Sequence, residues 1–286
     1  MSSVGYKVKQ LRSLIRELNS AVVCFSGGVD SSFLLAEAVE VLGDRTVALT
    51  AVSPSLDPEE QTAATNLAAL LGARHVLINT YELDDPRYAT NPTNRCYFCK
   101  NEVYGKAVAH ARTLGYAHVL DGFNVDDRTD YRPGRQAARE HGVRSPLDEV
   151  GFNKSEIRES ARKRALPVWD KPALACLSSR FPYGTRVTPG RLKQVADCES
   201  FLRSLGFQIC RVRYYGPTAL VEVERNEVAR LKQPEVLSGV IKHFRNKGFE
   251  RVDVSPDGYI AGGLNLKPPL NSDLRTSSLR ASLESD

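Results

Sequence analysis

Residues 21–32, AVVCFSGGVDSS, decide the fold. Residues 21–25 are a short apolar run that fits a buried parallel strand. The loop Ser26-Gly27-Gly28-Val29-Asp30-Ser31-Ser32 follows at once, and SSFLLAEAVEVLG supplies a helix closed by Gly43. Anion binding at a strand-to-helix turn needs backbone N–H groups aimed at the ligand and no side chain in the way. Gly27 and Gly28 give that clearance, and the helix N-terminus adds partial positive charge. Ser26, Ser31 and Ser32 offer hydroxyl donors to phosphate oxygens; Asp30 makes sense beside a triphosphate mainly as a Mg²⁺ ligand. A glycine pair alone would read as a tight turn. The whole motif between an apolar strand and a helix reads as a nucleotide-phosphate loop. It lacks the lysine of a Walker A loop and the glycine spacing of a dinucleotide fingerprint.

Outward from this loop, strands and helices alternate. TVALTAVS, HVLINT and AHVLDGFN read as strands, with DPEEQTAATNLAALLG and NEVYGKAVAHARTLG as helices between them. The alternation predicts an α/β domain with a doubly wound parallel sheet and ligands at the carboxyl ends of its strands. By that rule Gly122, in Asp121-Gly122-Phe123-Asn124, lies near the nucleotide, and Ala51 and Ser53 join the nucleotide-binding set. Asp126, Asp127 and Asp130 follow in a polar loop, either as Mg²⁺ ligands, as partners of Arg132, or as plain surface. Past Thr188 a helix, two strands around Gly216-Pro217, a helix and a strand make a smaller α+β domain. The expected boundaries are 1–175 for the loop domain, 176–268 for the second domain and 269–286 for a disordered tail. Trp169 is expected to anchor the domain junction.

At 286 residues, two domains are the better expectation. No apolar run reaches the ~18–20 residues of a membrane span, and the first 18 residues read as an amphipathic helix, so a cytoplasmic address is expected. The net charge of +5 suits tRNA or a site that collects phosphates and carboxylates equally well. Nucleic acid is disfavoured because no basic block or basic–aromatic interleaving occurs.

Six cysteines in such a compartment argue against a disulfide framework. Cys24, Cys198 and Cys210 read as packing. Cys96 and Cys99 form a CxxC before the third helix, and Cys176 lies far downstream in KPALACLSSRFPYG. Taken alone these residues admit a redox pair, part of a zinc site, three ordinary thiols, or the ligand set of a 4Fe–4S cluster with one open iron.

SGGVDSS resembles the PP-loop of the N-type ATP pyrophosphatases, the adenine-nucleotide-alpha-hydrolase-like fold. Residues 5–265 more specifically resemble the LarE family of pyridinium-3,5-biscarboxylate mononucleotide sulfur transferases. The likeness is carried by SGGVDSSFL, AVSPSLDPEE, NPTNRCYFCK, DGFNVDDRTDYRPGRQA, SPLDEVGFNKSEIRE, LPVWDKPALACLSSRFPYGTRVT and RVRYYGPTALVEV. It implies that ATP adenylylates a substrate carboxylate and that sulfur then displaces AMP, on the way to the nickel-pincer nucleotide cofactor. In one version of the family a cysteine matching Cys176 gives up its own sulfur. In the other, Cys96, Cys99 and Cys176 hold a 4Fe–4S cluster that delivers sulfide, and this chain has all three. The resemblance also implies a homo-oligomer, a hexamer. A tRNA-thiolating PP-loop enzyme is the alternative.

Arg211 and Arg213 alternate along QICRVRYY and so share one strand face. With Arg180 they match arginines that the resemblance places around the substrate's phosphate and carboxylate. Glu222 and Glu224, also on one face, are available to pair with them. The chain has VSPDGYIAGGLN where the family pattern runs close to LDLEGYRSGSMN, so Ser255 and Ile260 replace an acidic residue and an arginine. That departure bears on the substrate, not on the loop.

Overall fold

The strand before the loop, β1 (Ala21–Cys24), lies inside a four-stranded sheet of order β3-β2-β1-β4. The computed structural model describes residues 3–129, 132–172 and 175–260; Asp130 and the expected tail lie outside the described residues. β2 (Thr46–Val52) pairs in parallel with β1 (Val22↔Val47) and with β3 (Arg74–Asn79). β4 (Val119–Leu120) adds to the other side of β1, again in parallel. The chain divides into two compact units: one runs through Ser179 and includes Tyr183–Lys193, the other comprises Arg180–Pro182 and the residues from Gln194 on.

Alternation along β1 sends side chains to opposite faces, and each face is covered. Ala21 and Val23 join Leu11 and Ile15 of α1 (Ser3–Glu17), Phe33 and Leu34 of α2 (Val29–Leu42), and Ile157 of α8 (Lys154–Lys163). Val22 joins Tyr104 and Ala107 of α5 (Arg95–Thr113) and Ala137 of α6 (Gly134–Glu140). The sheet is therefore doubly wound, as the strand–helix alternation predicts. α3 (Pro58–Leu70), with Asp57 as its cap, links β2 to β3, while the short α4 (Pro86–Ala89) and α7 (Pro146–Val150) complete the helices of this unit.

Because β2 lies on one side of β1 and β4 on the other, the connections part at the carboxyl end of β1. That is the switch point where open α/β sheets bind ligands. The expected fourth strand, AHVLDGFN, is cut to two residues. Its ladder with β1 is confined to Val119 and Leu120, with the Val22 N–H also donating to the His118 carbonyl at 2.9 Å. Beyond them the Asp121 N–H donates to the Arg144 carbonyl (2.9 Å) and its carboxylate accepts the Tyr104 hydroxyl (2.8 Å) and the Ser145 hydroxyl (2.6 Å).

In the second unit β5 (Cys210–Tyr215) runs antiparallel to β6 (Thr218–Val223), and β7 (Arg251–Val254) runs parallel to β6. Gly216, at φ 64°, makes the turn between β5 and β6. The helices are α9 (Pro189–Ser204), which belongs to this unit from Gln194 on, the short α10 (Val228–Leu231) and α11 (Pro234–Asn246). Phe244, Phe249, Val212 and Val221 are buried between helices and sheet. This is the smaller α+β domain of the sequence reading.

Candidate active site

Gly28 caps α2 without a side-chain acceptor, so the first N–H groups of the helix are left for a ligand. Gly27 sits at φ 71°, and a Cβ on it would come within 3.1 Å of the Ala64 Cβ. The hydroxyls of Ser31 and Ser32 both donate to the Gly28 carbonyl, at 3.1 and 2.8 Å, which holds the turn closed. Ser26 Oγ lies 3.2 Å from Ser31 Oγ and accepts the Gly28 N–H at 3.4 Å. Gly122 closes the other side: a Cβ there would lie 2.9 Å from the Ser31 backbone nitrogen. The two strand ends thus meet with only glycine between them.

Asp30 pairs with the Lys154 ammonium at the start of α8, and its Oδ1 is buried without a hydrogen-bond partner. Nearby, Asp126 accepts the Lys154 backbone N–H (2.8 Å) and Asp127 pairs with Arg132 (2.6 Å). Burial pushes the Asp127 carboxyl up, against the pull of Arg132. Asp121 itself is engaged by Tyr104 and Ser145, which makes it a support for the Gly122 turn.

A second polar group lies past the end of β2. Ser53 and Ser55 both donate to Glu82 Oε1, the first at 2.5 Å. Tyr88 reaches Ser55 at 3.3 Å and Ser178 at 2.6 Å, and the Leu177 N–H donates to the Ser55 carbonyl at 2.9 Å. These bonds bring the Cys176 segment to the carboxyl edge of the sheet. Arg95 donates to the Ser178 carbonyl at 2.8 Å and to Asn91. Ala51 stands at the same edge, half-buried on β2.

Cys96 and Cys99 are inside the first two turns of α5 rather than ahead of it. The helix starts at Arg95, earlier than the sequence reading placed it, after the turn closed by Arg95 N–H on the Pro92 carbonyl (3.0 Å). Cys96 and Cys176 are exposed, Cys99 is half-buried, and none of the six cysteines is in a disulfide. The three thiols lie in one another's electrostatic field. Desolvation and then Cys176 raise Cys96; desolvation, Glu82 and more weakly Cys176 and Cys96 raise Cys99. Burial disfavours the Arg95 cation, but Cys176, Tyr88 and Cys96 together outweigh it. Among the described residues no three His, Cys, Asp or Glu side chains are grouped closely enough to hold a metal ion. Cys24, Cys198 and Cys210 belong to the interior, where burial lifts each thiol to about 12.

In the second unit, Arg180 makes a bidentate pair with Glu199, both bonds at 2.9 Å. Glu199 also accepts the Val212 N–H at 2.9 Å, so one buried carboxylate joins α9 to β5. Arg213 pairs with Glu222 at 2.9 Å, as the shared strand faces allow; Glu224 lies past the end of β6. Arg211 donates to its neighbouring carbonyl at 2.7 Å and stacks 5.1 Å over Tyr259. Burial and the proximity of Arg180 lower its pKa. Ser255 is buried and donates its N–H to Val221 at 2.9 Å, whereas Ile260 is exposed. Trp169 is exposed, with the Arg162 guanidinium 5.2 Å from its ring centroid.

No family model matches the chain. It is 35% identical, over 93% of its length and 96% of the relative's, to the pyridinium-3,5-bisthiocarboxylic acid mononucleotide synthase of Lactiplantibacillus plantarum. The chain belongs to the LarE family. Two uncharacterised relatives are also similar. One, from Synechocystis sp., is 45% identical over 91% of this chain and 97% of its own; the other, from Methanocaldococcus jannaschii, is 27% identical over 83% and 90%. For a LarE-family chain, the side chains that sequence reasoning passed over are Lys154, Glu82, Tyr88, Arg95 and Glu199. Lys154 and Arg95 sit inside the quoted stretches NKSEIRE and NPTNRCYFCK, so position was available as a signal, though role was not. Glu82, Tyr88 and Glu199 carried no motif.

Among the described residues, no helix is long and apolar enough to cross a membrane.

Proposed function

We propose that this protein is an ATP-dependent sulfur transferase acting on a carboxylate of a pyridinium mononucleotide. The observation that carries the reading is the placement of Cys176 at the carboxyl edge that also bears the phosphate loop, fixed by the Leu177–Ser55 bond at 2.9 Å. A named relative that makes a bisthiocarboxylic acid mononucleotide supports the substrate class.

A carboxylate is a poor electrophile until it carries a good leaving group. A substrate carboxylate oxygen attacks the α-phosphorus of ATP, pyrophosphate leaves, and an acyl adenylate forms. Sulfur then attacks the acyl carbon and AMP departs with the original oxygen, leaving a thiocarboxylate. The Gly27–Gly28 turn, the uncapped N–H groups of α2 and the serine hydroxyls receive pyrophosphate, the group whose charge must be held as it leaves. Asp30 suits a Mg²⁺ ion because its Oδ1 is buried and unpaired. Arg180, Arg211 and Arg213 bear on the substrate's anionic groups.

Cys96, Cys99 and Cys176 match a 4Fe–4S cluster in donor chemistry, and they are the residues that would hold one and let it supply sulfide. Their side chains are not gathered at metal-ligand spacing, and the adenylylation and displacement steps balance without a cluster. The exposure of Cys176 favours a second reading, in which that cysteine donates its own sulfur once. Anaerobic purification with iron and sulfide analysis, paired with intact-mass measurement after turnover, separates the two. The cluster reading expects iron and sulfide that vanish in Cys96→Ala, Cys99→Ala and Cys176→Ala, and an unchanged protein mass. An iron-free enzyme that loses sulfur from Cys176 would sink it. Assembly as a hexamer and a cytoplasmic location complete the proposal.

A further inference from the structure

The mouth of the phosphate loop holds a cation already. Lys154 and Asp30 are 124 residues apart, yet the Lys154 ammonium sits on Asp30 Oδ2. A part-exposed ion pair contributes little to stability, so its position is the informative feature. The Lys154 backbone is fixed twice: its own N–H donates to Asp126, and the neighbouring Asn153 caps α8 through a reciprocal box with Glu156. The side chain, by contrast, has four rotatable methylenes and is still about a third exposed. Only the head of the side chain is therefore able to change partner.

Charge balance says what the change would be. A triphosphate brought beside Asp30 meets a carboxylate of its own sign, and Lys154 paired there cancels that charge without leaving any surplus for the phosphate. Asp30 has a second oxygen, Oδ1, that is buried and has no partner. A divalent cation taking this carboxylate would free the ammonium, which remains within the same few ångströms of the uncapped helix.

We propose that Lys154 is a pyrophosphate-binding residue held in reserve by Asp30, released to the β- and γ-phosphates when a divalent cation takes the carboxylate. The inference rests on the nucleotide reading of the Ser26–Ser32 loop. No bond to phosphorus forms or breaks in this step; two ion pairs exchange partners, Lys–Asp and metal–phosphate becoming metal–Asp and Lys–phosphate.

Calorimetric titration of the full chain with inorganic pyrophosphate and Mg²⁺, and separately with AMP, tests it in wild type, Lys154→Met and Lys154→Arg. Lys154→Met should weaken pyrophosphate by roughly 10- to 100-fold, the loss of one charge-assisted hydrogen bond, and leave AMP nearly unchanged. Lys154→Arg should recover much of the difference. In the absence of nucleotide, Lys154→Met should also bind Mn²⁺ more tightly, by paramagnetic resonance, because Asp30 has lost its internal cation. A structural lysine would give that gain too, but not the selective loss of pyrophosphate over AMP. Unchanged pyrophosphate binding in Lys154→Met, or equal weakening of pyrophosphate and AMP in a variant with native circular dichroism, would overturn the inference. A wild-type protein that binds no pyrophosphate would overturn the loop reading itself.

Discussion

Gly122 shows how much one missing side chain can decide. It ends the β4 segment directly against the backbone of the phosphate loop, and a methyl group there would lie 2.9 Å from Ser31 N and 3.2 Å from the Asp30 carbonyl carbon. Backbone cannot swing aside as a side-chain tip can. Gly122→Ala should therefore cost about 1–3 kcal/mol, the usual range for overpacking, and distort the loop as well. Thermal denaturation and ATP titration check this together: a lower melting temperature with weakened ATP binding is expected, and native values of both would refute it. The residues of the loop were readable in the sequence because glycine, serine and aspartate there have few other uses between an apolar strand and a helix. Lys154 was not readable as a partner of Asp30, since a contact across 124 residues leaves no local trace. Glu199 is the same case, buried beneath Arg180 with no flanking pattern.

At the scale of elements, α8 carries both Lys154 and one of the clearest capping arrangements. Asn153 accepts the Glu156 N–H at 2.9 Å, and Glu156 accepts the Asn153 N–H at 3.0 Å. Asn153→Ala should remove about 1 kcal/mol, read as a lower melting temperature. Desolvation pushes the Glu156 carboxyl up, but the Lys7 ammonium and the Asn153 N–H outweigh it, so its folded pKa is lowered. A depressed carboxyl stabilises the fold above its ordinary value of 4.5 and loses that contribution as pH falls through the lower folded value. Glu156→Gln should thus be destabilised at neutral pH, with the gap to wild type closing in acid; a gap that widens in acid would contradict this. The same capping logic explains where sequence reading slipped. Asn94 offers no side-chain cap to α5, and the run Cys96-Tyr97-Phe98-Cys99 lacks strong helix formers, so the helix looked as though it began later. The two-residue β4 slipped for another reason: the apolar pattern marks what can pair, whereas its ladder with β1 covers only Val119 and Leu120.

For the molecule as a whole, the strand order places the working parts. With β2 and β4 on opposite sides of β1, the carboxyl edge of the sheet receives the phosphate loop, the Gly122 turn and the Ser53–Ser55–Glu82 group that fastens the Cys176 segment. Within the second unit, Arg180 pairs with Glu199, and on its small mixed sheet Arg213 pairs with Glu222. Architecture was legible from the alternation of strands and helices. Pairing of buried charges was not, because it is settled by packing. The central claim is that ATP is split to AMP so that sulfur can replace a carboxylate oxygen. Its most direct test is an anaerobic incubation of the protein with Mg²⁺–ATP, sulfide and pyridinium-3,5-biscarboxylic acid mononucleotide, followed by mass spectrometry and nucleotide analysis. The account predicts AMP and pyrophosphate in step with a product that has sulfur in place of one carboxylate oxygen. ADP as the nucleotide product, or AMP formation stimulated by tRNA and indifferent to the pyridinium nucleotide, would contradict it.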